Sequence, residues 1–88
     1  MLPIHGESMK EAGIENGDTV ICRKQEYANE GDIVLAWLEG EGNTVKRMRK
    51  DDRGRMCLMA ENKDDRRQNY GTGFVVLGVV VKILRDIV

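Results

Sequence analysis

The chain has 88 residues, which allows one domain with one modest core, because a chain of this size buries roughly 60–68% of the surface it exposes when unfolded. Apolar residues make up 41% and charged residues 33%, the balance of an ordinary globular domain. Lys and Arg number 14 against 15 Asp and Glu, and the net charge of −1 lacks the basic excess of a free-standing nucleic-acid binder.

The opening Met1-Leu2-Pro3-Ile4-His5-Gly6 has no basic stretch followed by an apolar run, so it does not read as a signal peptide. Ser8 to Ala12 reads as about one helical turn, closed by Gly13. Glu15-Asn16-Gly17-Asp18 carries an Asn-Gly turn, and Thr19-Val20-Ile21-Cys22-Arg23 follows as a strand. Ile33 to Leu38 has apolar side chains at every position, the pattern of a strand covered on both faces. The glycine-rich Glu39 to Asn43 connects it to a returning hairpin strand, Thr44-Val45-Lys46-Arg47-Met48. Arg49 to Gly54 forms the next turn, Arg55 to Ala60 a further strand, and Glu61 to Gly73 a long polar loop. Phe74 to Leu84 is a long β-branched strand with a bulge or bend expected at Gly78. The fold expected is mostly β: a small domain of twisted antiparallel strands with one short helical turn.

The two cysteines, Cys22 and Cys57, lie far apart without a C-x-x-C pair, and His5 is the single histidine. Too few soft ligands remain for zinc, no other cofactor is implied, and unpaired thiols suit a reducing cytoplasm. The longest apolar stretch, Phe74 to Val81, is far too short to span a bilayer, so no membrane contact is expected.

Ser8 has two readings. Ser8-Met9-Lys10-Glu11 fits the S-x-x-E capping box, in which the hydroxyl merely closes a helix end. A serine becomes a nucleophile only when a base lies within reach, and no motif around His5 supplies one. A lysine held neutral by burial can serve instead. Lys46 fits that pattern, because in an extended strand it shares a face with Thr44 and Met48, away from Val45, Arg47 and Arg49. Backbone amides at the start of the turn would then be placed to hold an oxyanion.

Six stretches carry a resemblance: Gly6-Glu7-Ser8-Met9, Gly13-Ile14-Glu15-Asn16-Gly17-Asp18, Gly31-Asp32-Ile33-Val34-Leu35-Ala36, Thr44-Val45-Lys46-Arg47, Leu58-Met59-Ala60-Glu61-Asn62 and Gly78-Val79-Val80. In this order and spacing the chain resembles the C-terminal protease domain shared by LexA, UmuD and the self-cleaving phage repressors. The resemblance implies a β-rich serine peptidase with Ser8 as nucleophile, Lys46 as general base, and the Glu7 and Ser8 backbone amides as oxyanion hole. It further implies homodimerisation through the C-terminal region and activation by a RecA-type filament on single-stranded DNA. DNA would be contacted only through an upstream helix-turn-helix domain, absent here along with the scissile segment. The chain is therefore expected to be an excised domain or natural fragment. Ala60 departs from the family, which often has proline before the Glu-Asn pair.

Two rival readings use the same residues. One keeps the fold as a catalytically silent dimerisation and sensing module of a transcription regulator, or as a UmuD-like polymerase accessory protein. The other is a signal-peptidase relative, disfavoured by the poor match after Ser8-Met9. The basic run Lys46 to Lys50, with Arg53 and Arg55, is interrupted by Asp51 and Asp52 and reads as a solvated hairpin tip rather than a phosphate site. Trp37 reads as core or dimer interface. The last strand is read either as an apolar edge open to a second chain or as a central strand paired on both sides.

Overall fold

The computed structural model describes residues 1–87. Their backbone forms six antiparallel strands: β1 (Leu2–Pro3), β2 (Thr19–Lys24), β3 (Ile33–Leu38), β4 (Gly42–Lys50), β5 (Met56–Met59) and β6 (Phe74–Leu84), with one 3-10 turn at Lys10–Ala12. The strands form a single sheet in the order β1-β2-β6-β3-β4-β5. The mostly-β fold read from the sequence is the fold found.

Period-two alternation decides what each face of β3 buries. Val34, Ala36 and Leu38 enter a cluster with Met48, Leu58 and Val76. Ile33 and Leu35 turn the other way and pack with Met9, Ile14, Val20 and Val45. The sheet thus carries a core on each face, which accounts for a strand apolar at every position.

β6 is central: its first half pairs with β3, from Phe74 opposite Leu38 to Val79 opposite Val34. Its second half pairs with β2, from Gly78 opposite Lys24 to Leu84 opposite Thr19. The open-edge reading of this strand is therefore replaced by the central one. One extra residue enters each pairing, Leu77 against β3 and Val81 against β2. Such bulges bend a strand and increase its twist. Val76 and Val79 thereby serve one core while Val80 and Ile83 serve the other. Gly78 lies between the bulges, where an added Cβ would come 2.8 Å from the Arg23 carbonyl oxygen, so only glycine lets β2 approach.

Other differences from the sequence reading have physical causes. β1 was not anticipated, because Pro3 argues against a strand; it is tolerated on the outermost strand, where no further neighbour needs its missing N–H. The basic run is no hairpin tip: β4 continues to Lys50, Lys46 and Met48 are buried, and Arg47 is ion-paired with Glu61. Trp37 is 46% exposed although it lies on the interior strand β3, so it is not core. Cys22 and Cys57 are free thiols, half-buried and buried respectively, and burial raises the pKa of both. Among the described residues no helix is long and apolar enough to cross a membrane.

The Glu15–Asp18 turn is tied to the far end of the chain. The Asp18 carboxylate accepts from the Glu15 amide (2.8 Å) and from Arg85 Nε and Nη2 (2.8 and 2.7 Å). These donors favour the ionised form, led by the Arg85 hydrogen bond, and hold the Asp18 pKa down at about 2 from an ordinary 3.8. A depressed carboxylate pKa adds stability that is complete above the unfolded value and is lost as pH falls through the folded one. Acid unfolding should therefore show a component between pH 3.8 and about 2 that Asp18→Asn removes, measured by thermal melts at stepped pH.

Candidate active site

Ser8 stands on a turn that the rest of the fold grips from below. Met9, beside it, is only 3% exposed and anchors the turn in the core, which leaves Ser8 half-buried at the rim. The Ser8 carbonyl accepts from the Glu61 amide at 2.8 Å, and the Glu11 amide donates to the Glu61 carbonyl at 2.7 Å. Asn62 Nδ2 donates to the Glu7 carbonyl at 2.8 Å, and the Lys10 amide reaches the same oxygen at 3.1 Å. In a trans peptide the Ser8 N–H points opposite to the Glu7 C=O, so Asn62 also fixes the direction of that N–H. The Glu7 and Ser8 amides have no backbone acceptor among the described residues.

The capping reading does not hold. The 3-10 turn begins at Lys10 with Met9 as its N-cap residue, and no side chain caps it. The Ser8 hydroxyl instead meets a lysine.

Lys46 lies mid-strand on β4, opposite Val34 of β3, which places its stem in the sheet and leaves it 5% exposed. Its Nζ is 2.9 Å from Ser8 Oγ, 2.7 Å from Thr44 Oγ1 and 3.3 Å from the Val45 carbonyl oxygen. Burial is the largest influence on the amine and lowers its pKa from 10.5; Glu41 and Asp65 oppose this, and Arg67 reinforces it. A neutral amine has two N–H donors and one lone pair. In that form, giving its donors to Thr44 and Val45 would leave the lone pair for the Ser8 hydroxyl to donate to. Removal of a proton from Ser8 needs that arrangement.

Ser8 and Lys46 sit at one end of a cleft of about 300 Å³, whose apolar wall comes from Leu2, Ile4, Met9, Ile14 and Val45. The unanticipated β1 forms one side of this cleft. Among the described residues, no group of three or more His, Cys, Asp or Glu converges to hold a metal ion.

The structure thus brings Ser8, Lys46 and the Glu7–Ser8 peptide together, across 38 residues of sequence between the two side chains. Sequence reasoning missed Thr44 as a partner of the amine and the Asn62 side chain as a brace for the turn. The Leu58-to-Asn62 motif contained Asn62, but nothing in it announced a contact with Glu7. The Ala60 departure also has a reason here: its amide donates to the Gln68 carbonyl at 2.9 Å, a bond that proline lacks the N–H to make.

An all-β domain with a buried amine against a half-buried hydroxyl, both lining an apolar cleft, has the architecture of a small β-rich peptidase domain. The chain belongs to the Peptidase S24-like family, whose profile matches residues 1–81. It is 46% identical to the LexA repressor of Pelotomaculum thermopropionicum over 87 residues, covering 99% of this chain and 41% of that protein. The LexA repressor of Ligilactobacillus salivarius is 46% identical over 88 residues, 100% of this chain and 42% of its own length. That of Lactobacillus johnsonii is 56% identical over 62 residues, 70% of this chain and 30% of its own. The chain therefore spans about two-fifths of the length of the first of these relatives. The LexA-type family read from the six motifs is the family that these matches show.

Proposed function

We propose that this chain is the serine endopeptidase domain of a self-cleaving transcriptional repressor of the LexA type, with Ser8 as nucleophile and Lys46 as general base. The observation that carries the reading is the 2.9 Å approach of a buried amine to Ser8 Oγ. Neutral Lys46 takes the Ser8 proton as Oγ attacks the carbonyl carbon of a peptide bond upstream in the parent chain. The Glu7 and Ser8 amides receive the developing oxyanion, and Lys46 returns its proton to the leaving amine. Water, deprotonated by the same lysine, then releases the acyl group and regenerates Ser8. The apolar cleft beside the pair suits an extended segment with small side chains at the scissile bond. In this reading the parent acts in the cytoplasm as a homodimer, binds DNA through its upstream domain, and cleaves itself in response to a RecA-type filament.

The test is cleavage of the parent's upstream segment. A chain joined to that segment should cut itself in the range pH 7 to 10, faster as the pH rises, and Ser8→Ala should leave it intact. Ser8-independent fragments of the same size would remove the chain from this class of enzyme. Thr44→Val tests the orientation of the amine separately. The isosteric loss of one acceptor should slow cleavage by about tenfold, within the usual worth of a hydrogen bond to a reacting group, with no change of fold by circular dichroism.

A further inference from the structure

The amine of Lys46 has a neighbour that the reaction itself does not use. The ring of Tyr70 lies 4.7 Å from Lys46 Nζ, and the guanidinium carbon of Arg67 lies 4.4 Å from the centroid of the same ring. A buried amine and a guanidinium thus share one aromatic platform. The platform is fixed: the Tyr70 amide donates to the Leu58 carbonyl at 2.7 Å, and Asn69 bridges to Met59, so the loop's return limb is pinned to β5. Arg67 is held by Glu41 Oε1 at 2.9 Å, across from the turn between β3 and β4, and reaches the Asn69 and Tyr70 carbonyls at 3.4 and 3.5 Å.

We propose that Arg67, held by Glu41 and stacked on Tyr70, is a positioning residue that acts through Lys46 by repelling a proton from its Nζ. The proposal rests on the assignment of Lys46 as the base. The charged and titratable groups around the amine are Glu41 from the β3–β4 turn and Asp65, Arg67 and Tyr70 from the Glu61–Gly73 loop, and His5 lines the same cleft from the segment after β1. Glu41 and Asp65 favour the ammonium, as does the electron-rich face of Tyr70. Arg67 counters them in two ways. It places a permanent positive charge against the ring that the amine also approaches, and it neutralises Glu41 by pairing with it. The serine hydroxyl needs the amine free of its proton, so the Glu41–Arg67 pair adjusts, on top of the larger effect of burial, how much enzyme is competent at a given pH.

Both residues are substantially exposed, 53% for the Arg67 side chain and 41% for Glu41, so substituting them leaves the fold intact. The readout is the pH dependence of Ser8 phosphonylation by a small fluorophosphonate. Ser8 Oγ attacks phosphorus, the P–F bond breaks, fluoride leaves, and the Ser8 proton passes to Lys46. Wild-type chain should give a rate that rises with pH to a plateau, with no adduct in Ser8→Ala and a greatly reduced rate in Lys46→Met. Arg67→Gln should move the rising limb to higher pH, with the rate about three- to tenfold lower at pH 7 and the deficit shrinking towards the plateau. Arg67→Lys should lie nearer wild type, and Glu41→Gln should move the limb to lower pH. A limb that stays put in Arg67→Gln, or moves the same way in both Arg67→Gln and Glu41→Gln, overturns the proposal while leaving the Ser8–Lys46 reading intact. If Lys46→Met reacts like wild type, that reading itself fails.

Discussion

Lys46→Met is expected to reduce self-cleavage by about 10³-fold or more at pH 8 while leaving the melting temperature unchanged or higher. A general base contributes roughly 10²–10⁴-fold, and a serine hydroxyl without one is hardly nucleophilic. The stability half of the prediction follows from the burial of the same group. Lys46 is 5% exposed, and its pKa is lowered chiefly by desolvation. The unfolded chain binds the proton more readily than the folded one, so the ionised lysine destabilises the fold, and stability rises with pH between the lowered folded value and 10.5. Methionine fills a similar volume beside Val34 without that cost, and replacement of a buried ionisable group by an apolar one is often neutral or stabilising. A melt of Lys46→Met should therefore lose the pH dependence that wild type shows over this interval. A variant that unfolds more easily at every pH would mean that the amine is held for structure.

Gly78→Ala is expected to cost about 1–3 kcal/mol, seen as a lower denaturant midpoint with an unchanged slope. Gly78 pairs with Lys24 on one side and Leu35 on the other, so it is the position at which the two halves of the sheet meet. A Cβ there would stand 2.8 Å from the Arg23 carbonyl oxygen and 3.2 Å from Cys22 Cβ. The nearer clash is with backbone in a paired strand, which cannot swing aside as a side-chain end can. β2 would have to withdraw, loosening the cluster of Met9, Ile14, Val20 and Val45 that supports the Ser8 turn. Cleavage in Gly78→Ala should accordingly fall more than the unfolded fraction explains. An unchanged midpoint would show that β2 and β6 approach less closely than described.

Much of the fold was legible because its strands carry simple patterns. Ile33 to Leu38 and Phe74 to Leu84 were placed with the bounds the structure shows, since strongly apolar runs rich in β-branched residues, each following a glycine, have few other solutions. What the pattern could not supply was pairing. The bulges at Leu77 and Val81 arise from accommodating two neighbours at once, and no local composition marks them. β1 was hidden by Pro3, whose penalty vanishes on the outermost strand.

The site divides the same way. The alternation along Thr44 to Met48 pointed Lys46 inward, and its neighbours on that face, Thr44 and Met48, are half-buried and buried. Ser8 remained ambiguous because one hydroxyl fits both a cap and a nucleophile; in the structure the 3-10 turn starts after Met9 and no side chain caps it, which removes the first reading. Arg67 and Tyr70 gave no signal, because a charged loop looks the same whether its cations face solvent or share a ring with a buried amine.

The most direct measurement is the ionisation of Lys46 itself, followed by NMR of lysine labelled at the side-chain carbon next to Nζ. A resonance absent from Lys46→Met should titrate below the ordinary lysine value of 10.5 and should move when Ser8 is changed to Ala. A Lys46 signal that titrates at the ordinary lysine value of 10.5 or above would contradict a neutral amine poised against the Ser8 hydroxyl.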